Sequence, residues 1–141
     1  MLRLSRRVEY ALLALQHLAR CPGQAVSVRQ IARAHGLSEE FVAKVLQRLA
    51  RAGIVRSHHG VRGGYVLVQS PSALTIGTVI DAVESPWTGL VECRIGKDRC
   101  TLVPYCTIRR PLAVLEQRFR SVLDSMTIAE LVEHPEIQPL P

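Results

Sequence analysis

Aromatic residues are scarce in this sequence of 141 residues: two Phe, three Tyr and one Trp make up 4% of it. A core with so few rings has to be built from Leu, Val, Ile and Ala, and the Leu and Ala among them are strong helix formers. Long apolar runs are missing as well. None approaches the roughly 20 residues that cross a bilayer, so no membrane partner is expected. The stretch Met1 to Val8 holds three arginines, and the pattern after it is interrupted by Glu9, Gln16 and His17. That is an amphipathic helix rather than the apolar centre of a signal peptide, and a cytoplasmic location is expected. There is no internal repeat and no low-complexity tract. No Ser/His/Asp set or paired-carboxylate site stands out, so an enzyme is not expected. No Cys-x-x-Cys knuckle is present, which argues against a zinc ribbon.

Acidic residues are scarce in one half only. Residues 1–70 carry eleven Lys/Arg against three Asp/Glu, whereas residues 71–141 carry seven against nine. The formal net charge is +6. A basic N-terminal half suits a polyanion-binding surface, although a solvated basic face would have the same composition. The length and the 48% of hydrophobic residues are enough for one core that needs no disulfide or metal.

The chain reads as mainly α with a small β-hairpin. Ser5 caps a first helix whose apolar positions Val8, Ala11, Leu12, Leu15, Leu18 and Ala19 recur at helical spacing, and Pro22-Gly23 stops it. Ser27 opens a second helix with Gln30 in the capping-box position, and His35-Gly36 ends it. Ser38 caps a third, with Glu39 and Glu40 in its first turn. Phe41, Val42, Val45, Leu46 and Leu49 form its apolar face, and Gly53 terminates it. Two helices joined by a tight turn at Gly36 make a helix-turn-helix. Two strands at 54–57 and 65–68 flank the basic, glycine-rich loop 58–64, a wing. Thr75 opens a fourth helix that ends before Pro86.

Residues 85–107 have no clear periodicity. A long helix over about 108–125 then carries Ile108, Leu112, Leu115, Phe119, Val122 and Met126, spaced 4, 3, 4, 3, 4 as in a heptad seam. Thr127 and Glu130 form a capping box for a short last helix, and the tail from Pro135 is proline-rich. Three segments follow: a winged helix-turn-helix at 1–84, a cysteine-bearing loop at 85–107, and a dimerisation helix with its short successor at 108–141.

In a helix-turn-helix the second helix enters the major groove by its N-terminal end. Ser38, Glu40, Ala43, Lys44 and Gln47 lie opposite the apolar stripe. Ser38 and Lys44 can meet phosphates or base edges, and Glu40 can accept from a cytosine amine. Phe41 is either a thymine-methyl contact or part of the core. Arg48 and Arg51 are phosphate contacts or simply solvated. His59 and Arg62 on the wing are placed for a flanking minor groove.

Cys93, Cys100 and Cys106 are separated by six and five residues in a loop with little apolar content. Thiolates suit zinc or iron–sulfur clusters, but three of them leave one ligand missing. Metal binding, free thiols, a thiol-redox switch and plain burial all remain open on spacing. Cys21 stands apart, as a small hydrophobe.

The chain resembles the winged-helix iron–sulfur transcription regulators of the IscR, NsrR and RirA type. The resemblance rests on Leu4-Ser5 through Tyr10-Ala11, Ile31-Ala32, Gly36-Leu37-Ser38, Leu49 and Gly53-Ile54-Val55. It continues through Ser57, Gly60, Gly63-Gly64-Tyr65, Val79, Ala82-Val83-Glu84, the three cysteines and Thr127 to Leu131. It implies a homodimer joined through the long helix and a roughly palindromic double-stranded DNA operator. It also implies an iron–sulfur cluster (2Fe-2S or 4Fe-4S) on Cys93, Cys100 and Cys106, sensing nitric oxide, iron or redox state. One branch of the family has a histidine where this chain has Arg109, which cannot ligate iron. Another takes a carboxylate from the first helix of the partner subunit, and Glu9 stands at that place; the alternative for Glu9 is an ion pair with Arg6 or Arg7. A carboxylate is a hard ligand for iron, so that corner would be the labile one, and losing it would release the first helix. The resulting expectation is a DNA-binding repressor under cluster control. The alternatives are a cluster-free regulator using zinc or thiol redox and, less compatibly with the basic half, a small iron–sulfur electron carrier or enzyme.

Overall fold

The computed structural model describes residues 3–84, 89–91, 93 and 100–133. Among the described residues, six helices and one hairpin follow in order: α1 Arg6–Ala19, α2 Val28–His35, α3 Glu39–Arg51, β1 Val55–His58, β2 Gly64–Leu67, α4 Ile76–Val83, α5 Arg109–Ser125 and α6 Ile128–Glu133.

Local chemistry sets the helix boundaries. The hydroxyls of Ser5, Ser27, Ser38 and Thr75 each accept from a backbone N–H three residues on, which satisfies one orphan donor of α1, α2, α3 and α4. At α2 the box is reciprocal, since Gln30 Oε1 accepts from the Ser27 N–H at 2.9 Å. Gly36 ends α2 in the left-handed region at φ 63°, where a side chain would be strained, and so makes the sharp turn into α3.

One cluster of buried apolar residues holds α1 to α4 together: Val8, Ala11, Leu15 and Leu18 of α1, Ile31 of α2, Val42, Leu46 and Leu49 of α3, and Val79, Ile80 and Val83 of α4. All are aliphatic, as the shortage of rings requires. The helix α1 is the centre of the packing and touches α2, α3, α4 and α6. Chain segments distant in sequence are tied by short antiparallel bridges. Val26 pairs with Tyr65, which lays the α1–α2 linker along β2. A Cβ on Gly64 would lie 2.4 Å from the Val26 backbone, so that close approach demands glycine. Thr75 pairs with Thr127, which brings the start of α6 beside the start of α4.

The hairpin runs antiparallel from Val55 opposite Leu67 to His58 opposite Gly64. The first strand therefore begins one residue later than the sequence suggests. Ile54 is buried as the joint between α3 and the wing, and its carbonyl accepts from the Val68 N–H at 3.0 Å.

The helix α5 is different in kind. It has no side-chain cap and no buried residue. It leans on α4 through Arg120, which bonds both oxygens of Asp81 at 2.7 Å and Asp124 at 2.9 and 3.0 Å. Those carboxylates raise the Arg120 pKa, chiefly through the Asp81 hydrogen bonds. Among the described residues no helix is long and apolar enough to cross a membrane.

Candidate nucleic-acid interface

The buried stripe of α3 (Val42, Val45, Leu46 and Leu49) fixes which residues face outward. Ser38, Glu39, Glu40, Lys44, Gln47 and Arg51 are exposed and Ala43 is half-buried. This is the polar face expected for base and phosphate contacts. Within it, Lys44 Nζ reaches Glu40 Oε1 at 2.6 Å one turn away. That hydrogen bond, and then the Lys44 charge, hold the Glu40 carboxyl below the usual range. Exposed pairs of this kind contribute little to stability, so Lys44 is free to exchange its partner for a phosphate. Ser38 Oγ accepts from the Phe41 N–H at 3.4 Å. Its own O–H can still donate.

Two residues of the expected DNA set sit elsewhere. Phe41 is half-buried and stacks edge-on against Tyr10, with ring centroids 4.9 Å apart. It lies one turn before Val45, on the margin of the buried stripe, and so anchors α3 to α1. Arg48 is also half-buried, and its Nη1 donates to the Val83 carbonyl at 3.2 Å. Arg51 alone of the two late arginines points into solvent.

The wing tip is fully outside the core. His58, His59, Gly60, Val61 and Arg62 are all exposed. Arg62 and Gly63 form one wall of an open cleft of about 360 Å³ whose other wall is Ala25, Ser27 and Gln30. A wing-tip guanidinium thus lies beside the positive end of α2, an arrangement that favours anions.

The cysteine segment is only partly described. Cys93, Cys100 and Cys106 are free and half-buried, as is Cys21, which packs against the main core. Soft thiolates of this kind fit iron or zinc by donor chemistry. By arrangement, the described residues include no group of three His, Cys, Asp or Glu side chains that could hold a metal ion. A single chain therefore does not gather Glu9 and the three cysteines into one ligand set among the described residues. Instead Glu9 Oε2 accepts from Arg6 at 3.1 Å. The Glu9 carboxylate is 44% exposed. It lines a pocket of about 520 Å³ with Arg3, Leu4, Ser5, Arg6 and Glu84.

Sequence reasoning passed over a histidine pair. His17 Nδ1 and His35 Nε2 are 3.3 Å apart, joining the ends of α1 and α2. Burial lowers both pKa values, with Arg20 adding to it at His17, and His17 and then Arg20 adding to it at His35. Each sits in the last turn of its helix. Nothing in the local sequence signals that two helix ends eighteen residues apart will meet.

Similar proteins share this architecture. The structure of CymR (YrzC), described as the global cysteine regulator of B. subtilis, matches with a TM-score of 0.77 at 28% identity, over 96% of this chain and 100% of that one. T. potens IscR matches with a TM-score of 0.75 at 26% identity, over 99% of this chain and 94% of that one. Staphylococcus aureus CymR matches with a TM-score of 0.71 at 26% identity, over 92% and 98%. A sequence profile of the Rrf2 family, described as an iron-dependent transcriptional regulator, spans residues 4–134. With nearly the whole chain matched, its helix-turn-helix and wing in place and relatives of the same fold on both counts, this protein belongs to the Rrf2 family of winged-helix transcriptional regulators.

Proposed function

We propose that this DNA-binding regulator acts as a homodimeric repressor on a palindromic operator, with Cys93, Cys100 and Cys106 as its sensor. The observation that carries the reading is the surface: the outward face of α3 and the wing tip are polar and exposed, with Lys44, Arg51 and Arg62 ready for phosphates. Ser38, Glu40 and Gln47 take the base edges, and His59 joins Arg62 at the minor groove. Phe41 holds α3 at its angle from the core side.

The dimer is supported by α5. Ile108 is 58% and Val122 66% exposed, and Leu115, Phe119 and Met126 also remain open to solvent. Such a stripe at heptad spacing is apolar area that the described residues leave open, and on this proposal a second α5 covers it. Two recognition helices then face two half-sites.

For the sensor we infer an iron–sulfur cluster on the three cysteines, with Glu9 of the partner subunit as fourth ligand. A bound cluster would supply sensitivity to nitric oxide, iron supply or oxidation. On the protein side, Glu9 exchanges its pairing with Arg6 for that role, which ties the position of α1 to the state of the sensor. A second reading is supported by the likeness to a cysteine regulator: the same thiols act without a cluster, by redox change or zinc.

Anaerobic native mass spectrometry tests both at once. A dimer carrying iron and sulfide mass supports the first reading, whereas a dimer with bare thiols or zinc supports the second. Titration of salt against the DNA complex tests the interface. Lys44→Ala weakens binding across sequences and lowers the slope of log K on log salt by about 1.

A further inference from the structure

The helix α4 ends at Val83, just before the cysteine-bearing segment in the chain. At Glu84 the backbone leaves the helix, with φ −124° and ψ 49°. The Val83 carbonyl is then one of the orphan acceptors at a helix C-terminus, where the helix dipole concentrates negative charge. Two guanidiniums converge on it. Arg7 Nη1 arrives from α1 at 3.2 Å and Arg48 Nη1 arrives from α3, also at 3.2 Å. Val83 itself is fully buried, so the acceptor is fixed in place by packing.

We propose that Arg48 is a positioning residue that couples the cysteine segment to the recognition helix, rather than a phosphate contact. This rests on the sensing role proposed above for Cys93, Cys100 and Cys106. The chain passes from Val83 and Glu84 into that segment, so a rearrangement carried back along it meets the torsions at Glu84 and the carbonyl beside it. Arg48 lies one turn beyond Lys44 on α3. A change at Val83 therefore reaches the DNA-facing turn through a single charged hydrogen bond. Such bonds are short-ranged and directional, which suits a part that must register small shifts. Arg7 links the same acceptor to α1, where Glu9 lies two residues on. The carbonyl that Arg48 reads is thus also bonded by α1, two residues before Glu9.

The test compares two cysteine states in two backgrounds. The probe is a DNA duplex selected by the intact protein from a randomised pool. Affinity is measured anaerobically for the intact protein and for the triple variant Cys93→Ser, Cys100→Ser, Cys106→Ser, each with Arg48 and with Arg48→Gln. With Arg48 present, the two cysteine states differ by an ordinary coupling factor of about 5- to 150-fold. With Arg48→Gln the factor falls to about twofold or less, while the salt slope is unchanged.

If Arg48→Gln weakens both states equally and lowers the slope by about 1, Arg48 is a phosphate contact and the proposal is overturned. An unchanged coupling factor in the variant overturns it as well. Equal affinity of both cysteine states with Arg48 in place is a separate outcome, which sinks the sensing role itself and leaves Arg48 nothing to relay. Should Arg48→Gln fail to fold, Arg48→Lys, which keeps a charged donor with a different reach, takes its place with an intermediate factor expected.

Discussion

Helices α1 and α5 are both amphipathic and of similar length, 14 and 17 residues, yet five residues of α1 are buried and none of α5 is. The stripe of α1 meets α2, α3, α4 and α6 of its own chain. The helix α5 meets α4 through Leu123 and the Arg120 ion pairs, while Ile108, Leu115, Phe119, Val122 and Met126 of its stripe are exposed. Apolar spacing thus says that a face needs covering and leaves open which molecule covers it. For α1 the cover is the rest of the winged helix together with α6. For α5 it is a second chain, on the reading advanced above.

Substitutions sharpen that contrast. The largest effect on stability is expected in the winged helix. Leu46→Ala at a fully buried position costs about 2–5 kcal/mol in denaturant unfolding. Val122→Ala on the open stripe of α5 costs the isolated chain no more than about 0.5 kcal/mol. Equal losses would erase the distinction between the two helices.

Phe119→Asp reverses the roles. It leaves the winged helix folded by circular dichroism, but it yields monomers in analytical ultracentrifugation. Loss of the two-site advantage then weakens DNA binding by about 100-fold or more. A dimer that survives Phe119→Asp would place the interface somewhere other than α5.

A smaller loss is expected at the wing joint. Gly64→Ala drives a Cβ against rigid Val26 backbone and costs about 1–3 kcal/mol, with the hairpin displaced. Gly60→Ala meets no neighbouring atom, so it carries only the strain of its left-handed backbone and serves as the control.

The smallest effect is one of pH. His17 and His35 have folded-state pKa values below the ordinary 6.5. Above 6.5 both states of the chain leave them neutral, and they add nothing to the pH dependence. As pH falls through 6.5 the unfolded chain takes up protons that the folded chain resists, so stability drops on the acid side. The melting point of the protein should fall modestly from pH 7 towards pH 5. His17→Gln with His35→Gln should flatten that fall, and a fall of the same size in the double variant would sink the assignment.

Much of the fold was legible because it is local. The caps at Ser5, Ser27, Ser38 and Thr75, and the box of Thr127 with Glu130, act within three residues of chain, and each forms. The glycine turn at Gly36 and the aliphatic stripes of α1 to α4 are of the same kind. The candidate site was legible only by face. Lys44, Gln47 and Arg62 are exposed as their spacing implied, but Phe41 and Arg48 at the stripe's margins were drawn inward. Their partners, Tyr10 and the Val83 carbonyl, are 31 and 35 residues away, and no short pattern announces them.

By itself the sequence determined the order of elements, the hairpin after the third helix, the basic half and the cysteine spacing, since propensity, capping and periodicity all act over one or two turns of chain. Only the tertiary structure decided which arginines stay exposed and which are tied to a helix end, and that the described residues leave most of the α5 stripe open to solvent. Those outcomes depend on which distant groups arrive at the same place, and burial and helix-end polarity are settled only when the helices have packed.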